Sequence, residues 1–282
     1  MLRGFLYTLV LISLWVPAII LAPAWAKGTS GHPAKSAAPA GSSGAAASTH
    51  PGSPKPWRTR SRDAVMARTY FNRGARLVNS RQYRQGIPYL SKSIKLAPDV
   101  AMSYYLRGLA YYQTERRDRA MIDFDRSMSL DPDFADVYEA RAKVFFEKRQ
   151  YKSAIDSVSK AIALRPHDPD YFNFRGKLYE HTGDEKQAFG DYSMAIKLGP
   201  TSPSSYLHRA NIFCHRQQWK EASGDYSMII KVFPETDDAY IAYTNRARCY
   251  DKLGQHKLAE ADRKMSKMKT QQRWGEVLDT LR

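Results

Sequence analysis

Cysteine and acidic residues are scarce in this sequence, and both scarcities restrict what the chain can be. Only two cysteines, Cys214 and Cys249, occur among the 282 residues, and no acidic residue precedes Asp63. Because no cysteine lies near the apolar N-terminal segment, a lipid anchor of the bacterial lipoprotein type is not expected. The two cysteines could form a disulfide only if their Cα atoms came within about 7 Å, and two free thiols are the alternative.

The sequence also lacks the residue patterns of catalysis. It has no set of nucleophile, base and acid, no glycine-rich phosphate loop and no catalytic pair of carboxylates. His181, Cys214 and His215 do not have the short ligand spacing of a zinc site, so we interpret them as polar lining. No recognised nucleic-acid-binding module is present either. We therefore expect no catalysis, no cofactor, no bound metal and no nucleic-acid partner.

The one long apolar run lies at the N-terminus. Residues 5–21 are apolar apart from one Thr, one Ser and one Pro; they follow Arg3 and precede Ala24-Trp25-Ala26. This order is typical of a secretory signal peptide, residues 1–26, cleaved after Ala26. An uncleaved membrane anchor is the alternative, because about 17 apolar residues is the lower limit for a membrane span. Both interpretations predict an exported protein, periplasmic or secreted in the first case and membrane-anchored in the second.

The segment after the apolar run has the composition of a linker. Residues 27–60 are mainly Ala, Gly, Ser, Pro and Lys, with no aromatic residue before Trp57. Such a segment buries too little apolar surface to offset its ordering entropy, which predicts a disordered basic linker. Seven of the 44 Lys and Arg residues precede Asp63, which leaves 37 bases against 28 acids, a balance of +9. This excess favours anionic polymers or surfaces of the cell envelope as partners.

Proline marks an internal repeat of 34 residues. It recurs at this interval five times, at Pro98, Pro132, Pro166, Pro200 and Pro234. Counted from Ala67, place 4 of each unit is aromatic, place 7 is Arg, place 8 is small, place 11 is large and apolar, and place 20 is Gly or Ala. A sixth unit follows a three-residue insertion. Within an array of residues 61–270, the units are 67–100, 101–134, 135–168, 169–202, 203–236 and 240–270.

The spacing within a unit predicts two helices. Places 4, 8 and 11 share one helical face, and places 20, 24 and 27 share another. Gly183 and Gly254 suit the turn between the helices, and the proline ends the second helix. This pattern of aromatic, small, aromatic, alanine and proline resembles the tetratricopeptide repeat over about residues 64–270. The resemblance implies an all-α fold, an α-solenoid coiled into a right-handed superhelix with a concave groove.

Beyond the array, residues 271–282 are predicted to form a C-terminal capping helix. It is either continuous with the preceding helix or bent at Gly275. Its apolar face consists of Trp274, Val277, Leu278 and Leu281.

Arginine at place 7 and aspartate at place 23 recur together. The arginines are Arg73, Arg107, Arg141, Arg175, Arg209 and Arg246, and the aspartates are Asp123, Asp191, Asp225 and Asp262. Six arginines in register would suit a phosphate- or carboxylate-binding ladder. We favour a structural interpretation, because an arginine and an aspartate on two packed helices are placed for a charge-assisted hydrogen bond. Tyr89 and Ser157 stand at place 23 in the first and third units.

The resemblance also implies that ligand-facing residues come from the first helix of each unit. Carried over place by place, they are Phe71, Tyr105, Leu109, Tyr112, Lys143, Phe146, Asn173, Lys177, His208, Asn211, His215 and Arg248. Aromatic anchors are typical of peptide interfaces, and packing of Tyr105 or Phe146 on a neighbouring helix is the alternative. The lysine and asparagine set with which some tetratricopeptide domains bind the acidic C-termini of heat-shock chaperones is absent.

Three functions are compatible with these features. The favoured one is a non-catalytic scaffold of the secretory or periplasmic compartment, which binds a peptide or helix of another protein in the groove. The second is binding of anionic polymers or envelope surfaces through the basic linker and array, and the third is an accessory subunit of an envelope enzyme. Salt separates the first two, because charge-driven binding weakens as the ionic strength rises.

Overall fold

The structure, a computed structural model, describes residues 62–199 and 202–280. These residues form twelve α-helices and contain no β-strand. In chain order the helices are α1 Arg62–Asn79, α2 Tyr83–Leu96, α3 Ala101–Gln113, α4 Arg117–Leu130, α5 Ala135–Glu147, α6 Tyr151–Leu164, α7 Pro169–Thr182, α8 Glu185–Leu198, α9 Ser204–His215, α10 Trp219–Val232, α11 Asp237–Lys252 and α12 His256–Thr280. Odd-numbered helices are the first helices of the 34-residue units, and even-numbered helices are the second. The predicted signal peptide and linker lie outside the described residues.

Two helices of a unit approach closely where place 8 is glycine. Gly108 of α3 faces the ring of Phe124 on α4, and Gly176 of α7 faces the ring of Tyr192 on α8. A Cβ atom at Gly176 would lie only 2.8 Å from Cε1 of Tyr192, and both rings are fully buried. The missing side chain on the first helix therefore makes room for a large ring from the second helix.

Two glycine substitutions in one unit are expected to change stability in opposite directions. Gly176→Ala should destabilise the unit by about 1 kcal/mol, because displacing the Tyr192 ring outweighs the gain in helix propensity. Gly190→Ala, in the middle of α8 with open space around the glycine, should stabilise the unit by about 0.5–1 kcal/mol. Urea unfolding followed by circular dichroism measures both changes. Equal effects of the two substitutions would contradict this account of the close approach.

The turn between the two helices has the same backbone in every unit. Place 15 is left-handed, with φ between 57° and 79°. The place-15 residues are Arg81, Glu115, Arg149, Gly183, Gln217 and Gly254. After each of them, the next backbone N–H donates to the carbonyl five residues earlier at 2.8–2.9 Å, as in Asp184 to Tyr179. This hydrogen bond satisfies a carbonyl that the end of the helix leaves open, which is the Schellman arrangement.

Glycine should be the better residue at place 15 in the units that lack it. A non-glycine residue in the left-handed region costs about 1–2 kcal/mol of stability. Substituting glycine removes this cost, but part of the gain is offset because glycine has greater conformational freedom in the unfolded chain. We expect Arg149→Gly to stabilise the protein by about 0.5–1 kcal/mol and Gly183→Arg to destabilise it by a similar amount. The shift in the urea midpoint checks both signs. A loss of stability in Arg149→Gly would show that the arginine side chain matters more than the turn.

The pairs stack one after another along the chain. Every helix has substantial contacts with the helices before and after it. First helices also contact each other directly, namely α1 with α3, α3 with α5 and α9 with α11, whereas among the described residues no two second helices do so to a similar extent. The first helices therefore lie closer together and form the inner side of the stack, which we call the inner face.

The last helix extends past the repeat pattern. Residues 271–280, which the sequence assigns to a capping helix either continuous with the preceding helix or bent at Gly275, belong to α12, which runs from His256 to Thr280. An interior glycine such as Gly275 destabilises a helix by only about 1 kcal/mol, so a helix can continue through it. Only the backbone is described for residues 269–270 and 272–280, and the contacts of the predicted cap side chains lie outside the description.

Candidate functional site

Four arginines at place 7 bind an aspartate of the same unit. In each pair Nε and Nη2 of the arginine donate to the two carboxylate oxygens at 2.7–2.9 Å. The pairs are Arg107–Asp123, Arg175–Asp191, Arg209–Asp225 and Arg246–Asp262. The aspartate side chains are at most 9% exposed, so these carboxylates are held inside the pair of helices and are not presented to a ligand.

The remaining nitrogen of each of these arginines reaches the preceding unit. Nη1 lies 2.9–3.3 Å from a serine hydroxyl on the second helix of that unit. These serines are Ser91, Ser159, Ser193 and Ser227. One guanidinium therefore joins three helices. Serine recurs at place 25 in four units, which is the signal in the sequence that could have predicted this column.

Arg141 and Arg73 make other contacts because their units lack the aspartate. Nε of Arg141 lies 3.2 Å from Oδ1 of Asp125, which occupies the place-25 position of the preceding unit. The guanidinium of Arg73 lies over the ring of Tyr89, 4.6 Å from its centre, and the residue is exposed. The arginines thus serve contacts within the stack, and Arg73 is the one whose side chain is most open to solvent.

The predicted groove residues of α3 are mainly packing residues. The ring of Tyr105 lies edge-on to Phe134 with centres 4.7 Å apart, and Leu109 packs on the same core. The hydroxyl of Tyr112 donates to Glu147 at 2.6 Å, and Glu147 also binds Arg117. Burial and the Glu147 carboxylate both raise the pKa of Tyr112. Both tyrosines are partly exposed, and the Tyr105 ring packs between Phe124 and Phe134 near the joint between units two and three.

A cluster of rings joins α5 to α7 on the inner face. Phe146 lies 5.1 Å from His181 and 6.1 Å from Phe174, measured between ring centres. The ring of Tyr151 on α6 is stacked on His181 at 5.1 Å and also lies 6.0 Å from Phe146. Nζ of Lys177 lies 5.2 Å from the centre of the Phe146 ring. This half-buried cluster combines the apolar surface of its rings with one cationic side chain, Lys177, and one polar side chain, His181. Such a combination suits contact with an amphipathic peptide.

Polar side chains predominate on the inner face of α7, α9 and α11. Asn173 accepts a hydrogen bond from Ser205 at 3.1 Å, and Asn211 accepts one from Tyr226 at 2.8 Å. Nδ1 of His208 lies 2.9 Å from Oε2 of Glu180. Burial alone would raise the pKa of Glu180, but the hydrogen bond and charge of His208, with smaller contributions from Tyr192 and His181, together outweigh it and leave that pKa below its usual value. These contacts fix the side chains and leave other polar atoms of the same residues for a ligand.

The other predicted groove residues differ in how much they face solvent. His215 and Arg248 are exposed, Phe71 packs on the core of the first helix pair, and Lys143 binds Glu139 at 2.6 Å. The inner face therefore consists of partly exposed aromatic residues in its first half and exposed polar residues near its end.

Sequence reasoning missed one polar network between units three and four. Arg165 donates to both oxygens of Asp136 at 2.7 and 2.9 Å, and Tyr171 donates to Asp136 at 3.0 Å. Asp170 repeats Asp136 at place 2 of the fourth unit, but arginine at place 31 and tyrosine at place 3 recur in no other unit, so the 34-residue pattern gives no signal for the network. The network stiffens the joint next to the ring cluster.

Comparison with known proteins gives this geometry a family. A family model described as tetratricopeptide repeat matches residues 71–133 and 139–203. These two stretches match the tetratricopeptide repeat. The α-solenoid expected from the sequence is thereby confirmed, and no curated protein matches the chain.

Solved tetratricopeptide-type structures resemble the array in fold. The structure of PilF from Pseudomonas aeruginosa aligns with 76% of this chain, and the alignment includes 99% of the PilF chain. The sequence identity is 15% and the TM-score is 0.64. PilW, described as a widely conserved type IV pilus biogenesis factor, covers 70% with 90% of its own, at 14% identity and a TM-score of 0.58. YrrB, described as having an unusual peptide-binding site, covers 63% with 90% of its own, at 19% identity and a TM-score of 0.53. At these identities the likeness shows the fold alone.

The tetratricopeptide array contains no group of three or more His, Cys, Asp or Glu side chains, among those described, that could hold a metal ion. None of its described helices is long and apolar enough to cross a membrane. Proteins built from tetratricopeptide repeats are generally non-catalytic, and the fold indicates a protein–protein interaction scaffold.

Proposed function

We propose that this protein is an exported, non-catalytic scaffold that binds a peptide or helix of a partner protein on its inner face. The observation that carries the proposal is the succession of side chains along that face. The half-buried Tyr112 and Phe146 are followed by Asn173, His208 and Asn211, which are held in place by hydrogen bonds within the stack. A face whose side chains are already fixed loses little conformational entropy when it binds.

The number of units and the location belong to the same proposal. We infer six tetratricopeptide units, because the place-15 turn and the arginine at place 7 both occur six times. We infer export from the order of Arg3, the apolar residues 5–21 and Ala24-Trp25-Ala26. Expression of the full chain followed by N-terminal sequencing of the mature protein tests export; an N-terminus at Lys27 is the expected result.

Site-specific photocrosslinking tests the inner face. A photoreactive residue at His215 or Arg248, both exposed there, should capture the same partner at low and at high salt. The matched control is Ile122, which is 69% exposed on a second helix and should capture nothing specific. Phe146→Ala should weaken capture at Arg248 while the chain remains helical. Equal capture from Ile122, or loss of all capture at high salt, would contradict binding on the inner face.

A second candidate function is binding of an anionic polymer through the first helix pair, and one observation favours it. Between residues 62 and 100 all basic side chains are exposed, and only Asp63 and Asp99 are acidic. The eight bases are Arg62, Arg68, Arg73, Arg76, Arg81, Arg84, Lys92 and Lys95. Binding there should fall steeply as salt rises. Titration with heparin should be weakened by Arg76→Glu with Arg84→Glu, but not by Lys160→Glu on α6.

A further inference from the structure

Both cysteines of the chain meet at one point between units five and six. Sγ of Cys214, on α9, lies 3.8 Å from Sγ of Cys249, on α11, and both are free thiols. They are the only cysteines in the sequence. They occupy first helices that contact each other directly across the joint.

The distance between the sulfur atoms permits a bond without rearrangement of the helices. A disulfide has sulfur atoms about 2.05 Å apart, so the two atoms must approach by only about 1.8 Å. Rotation about the Cα–Cβ bonds with small backbone adjustments supplies movements of this size. The direct contact of α9 with α11 keeps the two side chains facing each other in the reduced protein.

We propose that Cys214 and Cys249 form a reversible disulfide that joins α9 to α11, with Cys214 as the attacking thiol and Cys249 as the resolving thiol. The two sulfurs differ in access. Cys214 is half-buried, whereas Cys249 is 1% exposed, so a reagent from solution reaches Cys214 first.

The surroundings of Cys214 also favour its thiolate. The thiol of Cys249 can donate to it, and the hydroxyl of Tyr226 lies 3.7 Å from its sulfur. The hydrogen bond from Cys249, with smaller contributions from Tyr226 and the nearby His215, lowers the pKa of Cys214 to about 6, although burial opposes the change. The same hydrogen bond, together with burial, raises the pKa of Cys249. Thiolate character is what makes a cysteine reactive.

The reaction needs an external disulfide as oxidant, and oxidised glutathione is the probe. The Cys214 thiolate attacks one sulfur of glutathione disulfide, forms a mixed disulfide and releases one glutathione thiolate. Cys249 then loses its proton and attacks the sulfur of Cys214, which releases the second glutathione thiolate. Two electrons pass from the two cysteines to one glutathione disulfide, and two protons are released to solvent or to the glutathione thiolates.

The test is oxidation of the full chain in glutathione buffers, acid quenching, alkylation and intact mass measurement. The native protein should become two hydrogens lighter and lose both alkylation sites. Cys249→Ser should stop at one glutathione on Cys214, and Cys214→Ser should react at least about tenfold more slowly because Cys249 is buried. The oxidised native chain should melt higher by on the order of 5–10 °C, and added dithiothreitol should reverse the shift.

Several results would overturn the proposal. They are two glutathiones per native chain, disulfide-linked dimers, or two thiols that stay alkylatable under strongly oxidising glutathione. Cys249→Ala repeats the mixed-disulfide test without a hydroxyl at the buried position. Because the native chain supplies the mass result by itself, a folding defect in either variant leaves the proposal testable.

Discussion

Phe124→Ala is expected to lower the free energy of unfolding of the second unit by about 3–5 kcal/mol, the largest loss that any single substitution discussed for this protein should cause. The Phe124 ring is fully buried, and it fills the space that Gly108 leaves on α3. Its centre lies 6.3 Å from that of Tyr105, which in turn packs on Phe134, the last residue of the unit, directly before α5. The substitution thus opens a cavity at the joint between two units, where the opposing glycine offers no side chain to refill it.

Hydrogen exchange with mass spectrometry is the suitable measurement, because a stack of repeats need not unfold as one cooperative unit. Protection should fall first in α3, α4 and α5. Ile122→Ala is the matched control, since Ile122 lies two residues away on the same helix and is 69% exposed. It should change stability by less than about 0.5 kcal/mol. Similar losses in the two variants would refute the assignment of Phe124 to the core.

Asp191→Ala is expected to cost about 2–4 kcal/mol, because it leaves the guanidinium of Arg175 without its carboxylate partner. The carboxylate receives two hydrogen bonds of 2.8 Å, and the Asp191 side chain is 9% exposed. The Arg175 side chain is 21% exposed, so water recovers part of the loss and the full value for a buried pair is not reached. The destabilisation should be concentrated in α7 and α8.

A double substitution separates the net value of this pair from the cost of an unpaired charge. Arg175→Met with Asp191→Leu removes both partners and should cost less than Asp191→Ala alone. Asp156→Ala, an exposed aspartate at place 22 of the third unit, is the control and should be within about 0.5 kcal/mol of the native protein. If the double variant is the less stable one, the guanidinium contributes mainly through its contact with Ser159 and its packing.

The repeat period was sufficient to predict the helices, whereas glycine indicated the turn between them in only two units. Proline, arginine and the small residues recur on a 34-residue scale, and this pattern places both helices of each unit. The left-handed residue at place 15 escaped notice because four units have Arg, Glu, Arg or Gln there and only Gly183 and Gly254 have the expected residue. The backbone geometry is imposed by the packing of the two helices, which overrides local preference.

The sequence was sufficient to predict which side of the first helices forms the inner face, but not which side chains on that face are exposed to a ligand. Helical spacing places Tyr105 and Asn211 on the same side of their helices, yet it says nothing about which neighbour each one contacts. Phe134, in the turn before α5, covers Tyr105, and Tyr226 of α10 donates a hydrogen bond to Asn211, so both partners lie outside the helix of the residue they contact. The same limit explains why Arg165, Asp136 and Tyr171 were not grouped, since their contact depends on the joint between two units.

Contacts in the described stack are confined to helices one or two positions apart along the chain, with no substantial contact between distant helices. Closing such contacts requires only short loops, so the entropic barrier to forming each one is low and folding should be fast for a chain of this length. We expect refolding to begin in any pair and spread to its neighbours, which pulse-labelling hydrogen exchange would show as protection that advances outward from several starting pairs. The chain can thus acquire its structure progressively, one pair at a time, while later residues are still being synthesised.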